Sequence, residues 1–424
     1  MAIDEDLSPA VQQQVARQGA RLHGFEKAKA SLKDFGYEFN AKRVERLTER
    51  IGAERVAERD AVVEQYQRLT LMEKCETPAG VTAPKVVSVG ADGGRLQTTV
   101  ESEKGTHWHQ YLGADLRILE SESLDADPTP ELPEIFREPK RMGKLVSEIS
   151  HKIAGIEAPA DPDEVQRDHA TESRETDAIL SESPSGSRPK ATSQRINQPK
   201  TLWRDVLASR KLSAPKFGLL MAAHAWSKGF FQAQRKGFVG DGSSANWGIW
   251  EARFKPYGFV PILDFIHALT YVYNAALAGR TPSDGWAIYL KWIHCVWQGS
   301  VAEVIAELQA RQQELGTPLP EHPDSDPRKV VQRSLTYLQN QSARMNYPEY
   351  RRQGLAITSC HIESTIKQLN YRVKGTEMFW TDDGAEALLQ LSADLLCDSR
   401  PLDGFWSRRA TRMTGYRTYT RSKT

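Results

Sequence analysis

The sequence predicts an α/β fold, and three observations support that prediction. Short β-branched runs stop at aspartates beside glycine, a helix-forming stretch lies between two of these runs, and long helical patterns follow them. A charged, helix-forming region precedes the first run and extends to about residue 75. We therefore expect a sheet with covering helices, an all-helical insertion and an N-terminal helical region.

The N-terminal region, residues 1–75, reads as a helix-turn-helix. A serine and a proline begin the first helix, and a further helix, a glycine turn and a helix capped by Asn40 follow. On that last helix, Lys42, Arg43 and Arg46 would face DNA. A plain helical hairpin would give the same pattern, because several glutamates dilute the basic face.

Residues 84–119 are expected to hold the first strands of the core. A β-branched run over 85–89 leads into the glycine-rich segment 90–94, and 95–100 reads as a returning strand. This pattern places Asp92 at a hairpin, at the end of the first strand.

Residues 120–200 read as an acidic, partly disordered connector. Between residues 120 and 182 the sequence has 17 acidic and 7 basic residues, a net charge of −10, together with several prolines. Such a composition buries too little apolar surface to offset the entropy of folding.

Residues 202–267 are expected to complete the core. A helix beginning near Ser213 precedes a strand that stops at Asp241, between two glycines. Another strand stops at Asp264, and His267 follows three residues later on the same helical face. Both aspartates lie at carboxyl ends of strands, where ligands of open α/β sheets bind.

Residues 268–350 are predicted to form a helical insertion, and 351–406 to form core helices. Prolines separate the helices of the insertion, and its tryptophans at helical spacing are more typical of a core than of base stacking. Glu363 lies in the later helices, beside a buried stripe of isoleucine and leucine.

The C-terminal residues 407–424 read as a basic tail. From residue 400 to residue 424 the sequence has 7 basic residues and 1 acidic residue, a net charge of +6, interleaved with tyrosines. Such a tail suits contacts with phosphates, and it is equally typical of a solvated terminus with no fixed partner.

Asp92, Asp241 and Glu363 are the candidate metal ligands. Hard divalent cations take oxygen ligands, and two ions held about 3.5–4 Å apart activate the attacking oxygen and stabilise the leaving oxygen in phosphoryl transfer. Taken singly, each acid reads as a turn residue or a solvated charge. Their order, two strand aspartates and then a helical glutamate, favours a shared site.

Several stretches of the chain resemble bacterial insertion-sequence transposases of the Kra type, which are relatives of the Mutator-like group. The matching stretches are residues 92–97, 240–242, 261–268, 340–348, 362–364 with Lys367, and 372–380. The likeness runs from Lys85 to Trp406, with an interruption that ends at Leu202.

This resemblance implies a ribonuclease-H-like catalytic core with a triad of Asp92, Asp241 and Glu363. Such a core binds two magnesium ions, with manganese as an alternative, and it cuts and joins DNA at element ends. A glycine-flanked aspartate leaves room for a metal to approach, so Asp241 is preferred to Asp264 as the second ligand. Asp264 and His267 are then supporting residues or alternative ligands.

The resemblance also implies DNA partners, namely the terminal repeats of the element and the target DNA, and a homo-oligomer on that DNA. Lys367, Arg372 and Lys374 would contact phosphates near the metals, or else form a solvated helix face. Two other functions share these residues. One is a DNA-binding protein derived from a transposase that no longer cuts, and the other is a nuclease that hydrolyses DNA without joining it.

Composition excludes several other classes of protein. The 424 residues contain no uninterrupted apolar run of bilayer length, and the N-terminus lacks the pattern of a signal peptide. The 4 cysteines include no C-x-x-C pair, so neither a zinc site nor a disulfide framework is indicated. We expect a cytoplasmic protein that associates with the nucleoid and not with a membrane.

Overall fold

The computed structural model describes residues 7–102, 105–154, 199–375 and 377–412. Within these residues the chain is a mixed α/β protein, with one open sheet and many helices. Most of the predicted acidic connector, residues 155–198, and the end of the predicted basic tail, residues 413–424, lie outside the described residues.

The sheet has six strands. They are β1 (Val86–Thr98), β2 (Trp108–Glu120), β3 (Lys200–Ser209), β4 (Arg235–Gly240), β5 (Val260–Leu263) and β6 (Phe379–Trp380). Their spatial order is β3-β2-β1-β4-β5, and β6 pairs with the far end of β1. Strand β2 runs antiparallel to its two neighbours β1 and β3, whereas β4, β5 and β6 run parallel to β1.

The helices before and between the strands of the core are α1 (Pro9–Arg21), α2 (Phe25–Asp34), α3 (Ala41–Arg68), α4 (Leu71–Cys75), α5 (Pro139–Ala154), α6 (Ala214–Ser227) and α7 (Ser244–Arg253). The later helices are α8 (Phe265–Leu277), α9 (Pro282–Trp297), α10 (Val301–Leu315), α11 (Pro327–Gln341), α12 (Tyr347–Arg352), α13 (Cys360–Val373), α14 (Asp382–Leu395) and α15 (Pro401–Arg412). No described helix combines the length and the apolar character needed to cross a lipid bilayer.

The expected hairpin at Asp92 is wrong. Strand β1 continues through the glycine-rich segment to Thr98, and the returning strand β2 begins only at Trp108. The glycines make room for neighbours instead of forming a turn, because none of those at 90, 93 and 94 has a positive φ. A Cβ at Gly94 would come within 2.1 Å of the Tyr111 ring on β2.

Helices cover both faces of the sheet. The larger apolar core joins one face to α6, α8 and α9, and includes Val89, Phe217, Phe238 and Trp292. A second core lies on the other face, where α13 and α14 pack over the sheet through residues such as Ile366. Helix α13 crosses β1 and β2, so it is placed above the strand that carries Asp92.

The N-terminal helices pack against the C-terminal helices in a third apolar cluster. Leu32 and Leu47 from α2 and α3 share this cluster with Leu391 and Trp406 from α14 and α15. The helices approach closely, because a Cβ at Gly52 would lie 2.4 Å from a backbone oxygen of α14. The predicted helices of residues 1–75 are therefore joined to the chain's other end.

Buried ion pairs cross the same contact. The guanidinium of Arg55 on α3 lies 2.9 Å from the carboxylate of Asp394 on α14. Arg59 makes an equally short pair with Glu386, which also accepts hydrogen bonds from the loop after β3. Because unpaired charges in such a place would be costly, these pairs fix how α3 sits on α14.

The start of the connector, which was predicted to be partly disordered, forms regular secondary structure in the described residues. A short 3-10 turn over Glu134–Arg137 leads into α5, which packs on α8. The reason is a local apolar spacing, since Met142, Val146 and Ile149 are buried along one side of the helix. Strand β3 was not predicted, and it forms the sheet edge beside β2.

The predicted insertion is helical throughout its described elements. Pro282 and Pro327 stand at the first positions of α9 and α11, where the missing backbone N–H carries no cost. Trp292 and Trp297 are buried in the larger core, as expected for tryptophans at helical spacing. These residues pack the insertion and are not available for base stacking.

Candidate active site

Three ionisable side chains meet where β5, α8 and α13 converge. Asp264, His267 and Glu363 each place one potential ligand atom within 4.8 Å of the others. Asp264 precedes α8 directly, His267 is the third residue of that helix, and Glu363 lies in the first turn of α13. The structure thus brings Glu363 to the carboxyl ends of the parallel strands.

Asp264 is buried and fully engaged in hydrogen bonds. One carboxylate oxygen accepts from the backbone N–H of Ile266 at 3.3 Å and of Ser359 at 3.0 Å. The other accepts from the backbone N–H of His267 at 3.2 Å and from its ring Nδ1 at 2.5 Å. A carboxylate has about four acceptor positions, so these contacts leave Asp264 little capacity to bind a metal.

The contacts of Asp264 have a structural consequence. Its carboxylate caps α8 and also holds the backbone of Ser359, which directly precedes α13. Asp264 therefore fixes the start of the helix that carries Glu363 against the end of β5. This is the supporting role that the sequence suggested as one alternative for Asp264.

His267 lies among the acidic groups as a counter-charge. Burial opposes its protonation, but the hydrogen bond and charge of Asp264, with the charges of Glu363 and Asp241, raise the pKa of His267 to about 9. A protonated imidazole donates hydrogen bonds, and it would have to lose a proton to bind a metal. The charge of His267 therefore stabilises the clustered carboxylates.

Asp241 follows the last residue of β4 and lies in a tightly held loop. Its Oδ1 accepts hydrogen bonds from the backbone N–H of Ser243 at 2.9 Å and from Nδ2 of Asn246 at 2.8 Å. Its Oδ2 accepts no hydrogen bond from any described residue, so this oxygen is available to a cation. Gly242, with a φ of 95°, allows the chain to turn there.

Asp92 and Asp241 lie just beyond the paired part of two neighbouring strands. The pairing of β1 with β4 ends with Gly90 opposite Val239; Asp92 lies two residues further along β1, and Asp241 lies two residues after Val239, directly after the end of β4. Asn246 links the two positions, because its Nδ2 also donates to the carbonyl of Ala91 at 2.9 Å.

Asp92 shares a face of the sheet with α13. Its partner on β2 is Gly113, where a Cβ would lie 2.5 Å from Ile366 of that helix. The Oδ1 of Asp92 also accepts a 2.7 Å hydrogen bond from the backbone N–H of Gly93. Asp92 and Glu363 are therefore carried by a strand and by the helix packed directly over it.

Asp115, a buried acid on β2 that the sequence analysis missed, contacts α13 from the sheet. Asp115 on β2 lies 2.7 Å from the guanidinium of Arg117 and accepts a 3.2 Å hydrogen bond from Thr365 on α13. The charge of Arg117, followed by burial, lowers the pKa of His361 to about 3. The signal that marked Asp115 was an aspartate between the apolar residues Ala114 and Leu116 within a strand.

Arg372 is buried, and the predicted contact of its side chain with DNA is wrong for this structure. Its Nε donates a 2.6 Å hydrogen bond to the carbonyl of Gly19, and its guanidinium lies over the rings of Phe25 and Trp380. Burial lowers the pKa of Arg372 to about 10. The residue joins α13 to the N-terminal helices instead of facing solvent.

The other predicted DNA contacts lie at or near the surface. Lys42 and Arg46 are exposed near the start of α3, where Lys42 pairs with Glu45 at 3.0 Å. Arg43 lies 5.2 Å from the centre of the Phe39 ring, and Lys374 at the same distance from that of Trp108. Lys367 is half-buried on α13. Their contact with DNA stays a prediction.

No protein-family model matches the chain, and no curated protein matches it either. The case for a function therefore rests on the residues themselves. Asp241 and Glu363 supply oxygen donors from different elements, with Asp92 on the strand next to that of Asp241. Oxygen donors of this kind are those that hard divalent cations take. Among the described residues, however, the ligand atoms that lie within 4.8 Å of one another are those of Asp264, His267 and Glu363, and neither Asp92 nor Asp241 is in that group.

Proposed function

We propose that this protein is a DNA transposase that cuts and joins DNA at the ends of a mobile element, with Asp92, Asp241 and Glu363 as its catalytic triad. The observation that supports the proposal most strongly is that Asp92 on β1, and Asp241 directly after β4, each lie two residues beyond the last paired residues of these neighbouring parallel strands. Asn246 bridges these two positions, and α13 carries Glu363 over the same strand.

The sheet supports a ribonuclease-H-like core for this enzyme. Three antiparallel strands are followed by a helix and then by two strands parallel to the first, with β1 in the middle. This arrangement is consistent with the core that the resemblance implies. The helices α9 to α12 lie between Asp241 and Glu363 in the chain, at the position of the implied insertion.

Asp92, Asp241 and Glu363 would hold the metal, and magnesium bound there supplies Lewis acidity to the attacking and leaving oxygens of the displacement. In cleavage, a water oxygen bonds to phosphorus while the bond to the 3′-oxygen breaks. The water loses a proton, and the 3′-oxygen gains one. In joining, the freed 3′-hydroxyl bonds to a phosphorus of target DNA, loses its proton and displaces a target 3′-oxygen, which takes one up.

The remaining residues of the site position these groups. Asp264 fixes the start of α13 through Ser359, and the imidazolium of His267 offsets the repulsion among the carboxylates before phosphate enters. Lys42, Arg43, Arg46, Lys367 and Lys374 would contact DNA outside the site. The partners would be terminal repeats and target DNA, bound by a homo-oligomer.

The test is cleavage and joining of a plasmid that carries the element ends, with magnesium present. We expect Glu363→Gln to reduce nicking at least about a hundredfold, because one charged ligand is lost at the reacting groups. The matched control is Glu251→Gln on α7, which removes an exposed carboxylate paired with Lys255 and leaves activity unchanged.

Each other outcome identifies a different protein. Full activity of Glu363→Gln would overturn the catalytic triad. Salt-sensitive binding to element ends without nicking by the unaltered protein would indicate a non-catalytic DNA-binding protein. Nicking without strand joining would indicate a hydrolytic nuclease that uses the same site.

A further inference from the structure

A cleft of about 660 Å³ opens beside the loop that carries Asp241. We call it the insertion cleft, because α8 and α11 form its walls and the segment around Leu319 forms its rim. Gly242, directly after Asp241, also lines it. The cleft therefore begins where the proposed catalytic loop ends.

Two stacked aromatic rings lie at the inner side of the insertion cleft. The rings of Tyr271 and Tyr337 have centres 3.7 Å apart and planes within 14° of parallel. The hydroxyl of Tyr337 donates to the carbonyl of Asp241 at 2.8 Å, and Gln341 donates to the carbonyl of Gly242 at 3.1 Å. Aromatic faces of this kind accept nucleic-acid bases by stacking, whatever the base.

The wall formed by α11 presents a polar stripe. Gln332, Thr336 and Asn340 are spaced four residues apart, so they lie along one side of the helix, and all three are exposed. Amide and hydroxyl side chains form hydrogen bonds with the edges of unpaired bases. This stripe leads towards the Asp241 loop.

The charge of the insertion cleft is moderately basic. Arg333 is half-exposed and Lys329 lies nearer the rim, where Asp324 is 4.0 Å from Arg333 and 3.8 Å from Lys329. Asp324 offsets part of the positive charge. The cleft is therefore better suited to one phosphate and one base than to the two rows of phosphates of a duplex.

We propose that the insertion cleft binds an unpaired nucleotide of the DNA strand that enters the site of Asp92, Asp241 and Glu363. The proposal rests on the proposed function, because the nucleotide belongs to the DNA strand that the catalytic site is proposed to bind. The volume lies in the range typical of sites for small organic ligands, which accommodates a nucleotide. The base stacks near Tyr271, the α11 stripe bonds its edge, and Arg333 contacts its phosphate.

The test measures DNA binding without magnesium, so that cleavage does not enter. The probes are a fluorescent duplex with a short oligothymidine 3′ overhang and the same duplex with blunt ends. We expect the unaltered protein to bind the overhang about tenfold more tightly, the size of one stacking contact. The double variant Arg333→Gln with Asn340→Ala should lose that preference.

A matched control on the same helix separates the cleft from general charge. Arg328→Gln with Gln339→Ala removes one charge and one amide from α11 outside the cleft, and it should keep the preference for the overhang. Asp324→Asn should tighten binding of the overhang, because a negative charge is removed from the rim. An overhang containing 5-iodouracil should crosslink to Tyr271 or Tyr337.

The inference and the proposed function fail in different ways. If the Arg333 and Asn340 variant binds the overhang as tightly as the control variant does, or if the crosslinks map elsewhere, the cleft proposal is overturned. That result leaves nicking by the unaltered protein intact. If the overhang preference and the crosslinks appear but no nicking occurs with magnesium, the cleft proposal stands and the catalytic assignment fails.

Discussion

The hydroxyl of Tyr337 donates a 2.8 Å hydrogen bond to the backbone carbonyl of Asp241. Through this bond a helix of the insertion holds the loop that carries the second proposed catalytic acid. A Cβ at Gly242 would lie 2.7 Å from the same tyrosine ring, so the loop and α11 are in close contact. The insertion is thereby part of the framework of the site.

Tyr337→Phe should lower DNA cleavage about tenfold while changing the free energy of unfolding by only about 1 kcal/mol. The ring stays stacked on Tyr271, but the Asp241 loop loses the bond that fixes it. Nicking rates and urea unfolding measure the two effects. Tyr289→Phe is the control, because it loses a similar buried bond, to the carbonyl of Phe136 and not to the Asp241 loop. Equal loss of cleavage in both variants would contradict this prediction.

Gly113→Ala should destabilise the protein by about 1–3 kcal/mol and also reduce cleavage. The added Cβ would lie 2.5 Å from Cδ1 of Ile366, so α13 must shift, and Glu363 shifts with it. Ile366→Val removes the clashing methyl group. The double variant Gly113→Ala with Ile366→Val should therefore regain much of the lost stability and of the lost cleavage activity. A double variant no better than Gly113→Ala alone, in unfolding and nicking assays, would show that this contact does not position the helix.

Arg372→Gln and Lys367→Gln should have opposite effects on protein stability and on the salt dependence of DNA binding. Arg372 is buried, so its loss should lower stability by about 1–3 kcal/mol and leave the salt dependence of DNA binding unchanged. Loss of Lys367, if this residue contacts a phosphate, should reduce the slope of log affinity against log salt by about 1 with little loss of stability. Thermal unfolding and binding at several salt concentrations measure both. A reduced salt slope for Arg372→Gln would contradict this prediction and would indicate that Arg372 contacts DNA.

The protein should lose stability in acid, because protonation removes the stabilising charge of Asp205. Burial alone would raise its pKa, but hydrogen bonds from His224 at 2.8 Å and from Ser399 outweigh it and lower the pKa of Asp205. A lowered folded-state pKa means that the carboxylate stabilises the fold above its unfolded pKa, near pH 4, and that this stabilisation is lost as the pH falls further.

Asp205→Asn should therefore be less stable than the unaltered protein at neutral pH, and the difference should shrink below about pH 4. Urea unfolding across this pH range measures it. The control is a substitution of the exposed Glu251. Glu386 would not serve as a control, because its carboxylate also pairs with Arg59. A difference that stays constant from neutral pH into acid would contradict the assigned role of Asp205.

The sequence predicted those features that depend on local signals. Asn40 caps α3 with a side-chain bond to the backbone of Arg43, and Asp241 directly follows β4, because caps and strand ends are set by neighbouring residues. The helix that contains Glu363 was predicted from the spacing of its buried residues.

Features that depend on contacts between distant segments were not predictable from the sequence. The glycines near Asp92 suggested a turn, but a Cβ at Gly93 or Gly94 would clash with Gln110 or Tyr111 on the neighbouring strand β2. Asp264 is engaged by Ser359, which lies 95 residues later. Arg372 was predicted to contact DNA, or else to lie on a solvated helix face, because nothing local shows that α1 and α2 cover it.

The most direct test of the central claim is anomalous X-ray diffraction from crystals of the protein grown with manganese and a short duplex DNA. The account predicts manganese peaks coordinated by Asp92, Asp241 and Glu363, with Asp264 turned to Ser359 and His267. In crystals of Asp241→Asn, we expect these peaks to be lost or weakened. A peak held by Asp264 and His267 without Asp92 and Asp241, or no peak at any of these carboxylates, would contradict the proposed catalytic triad.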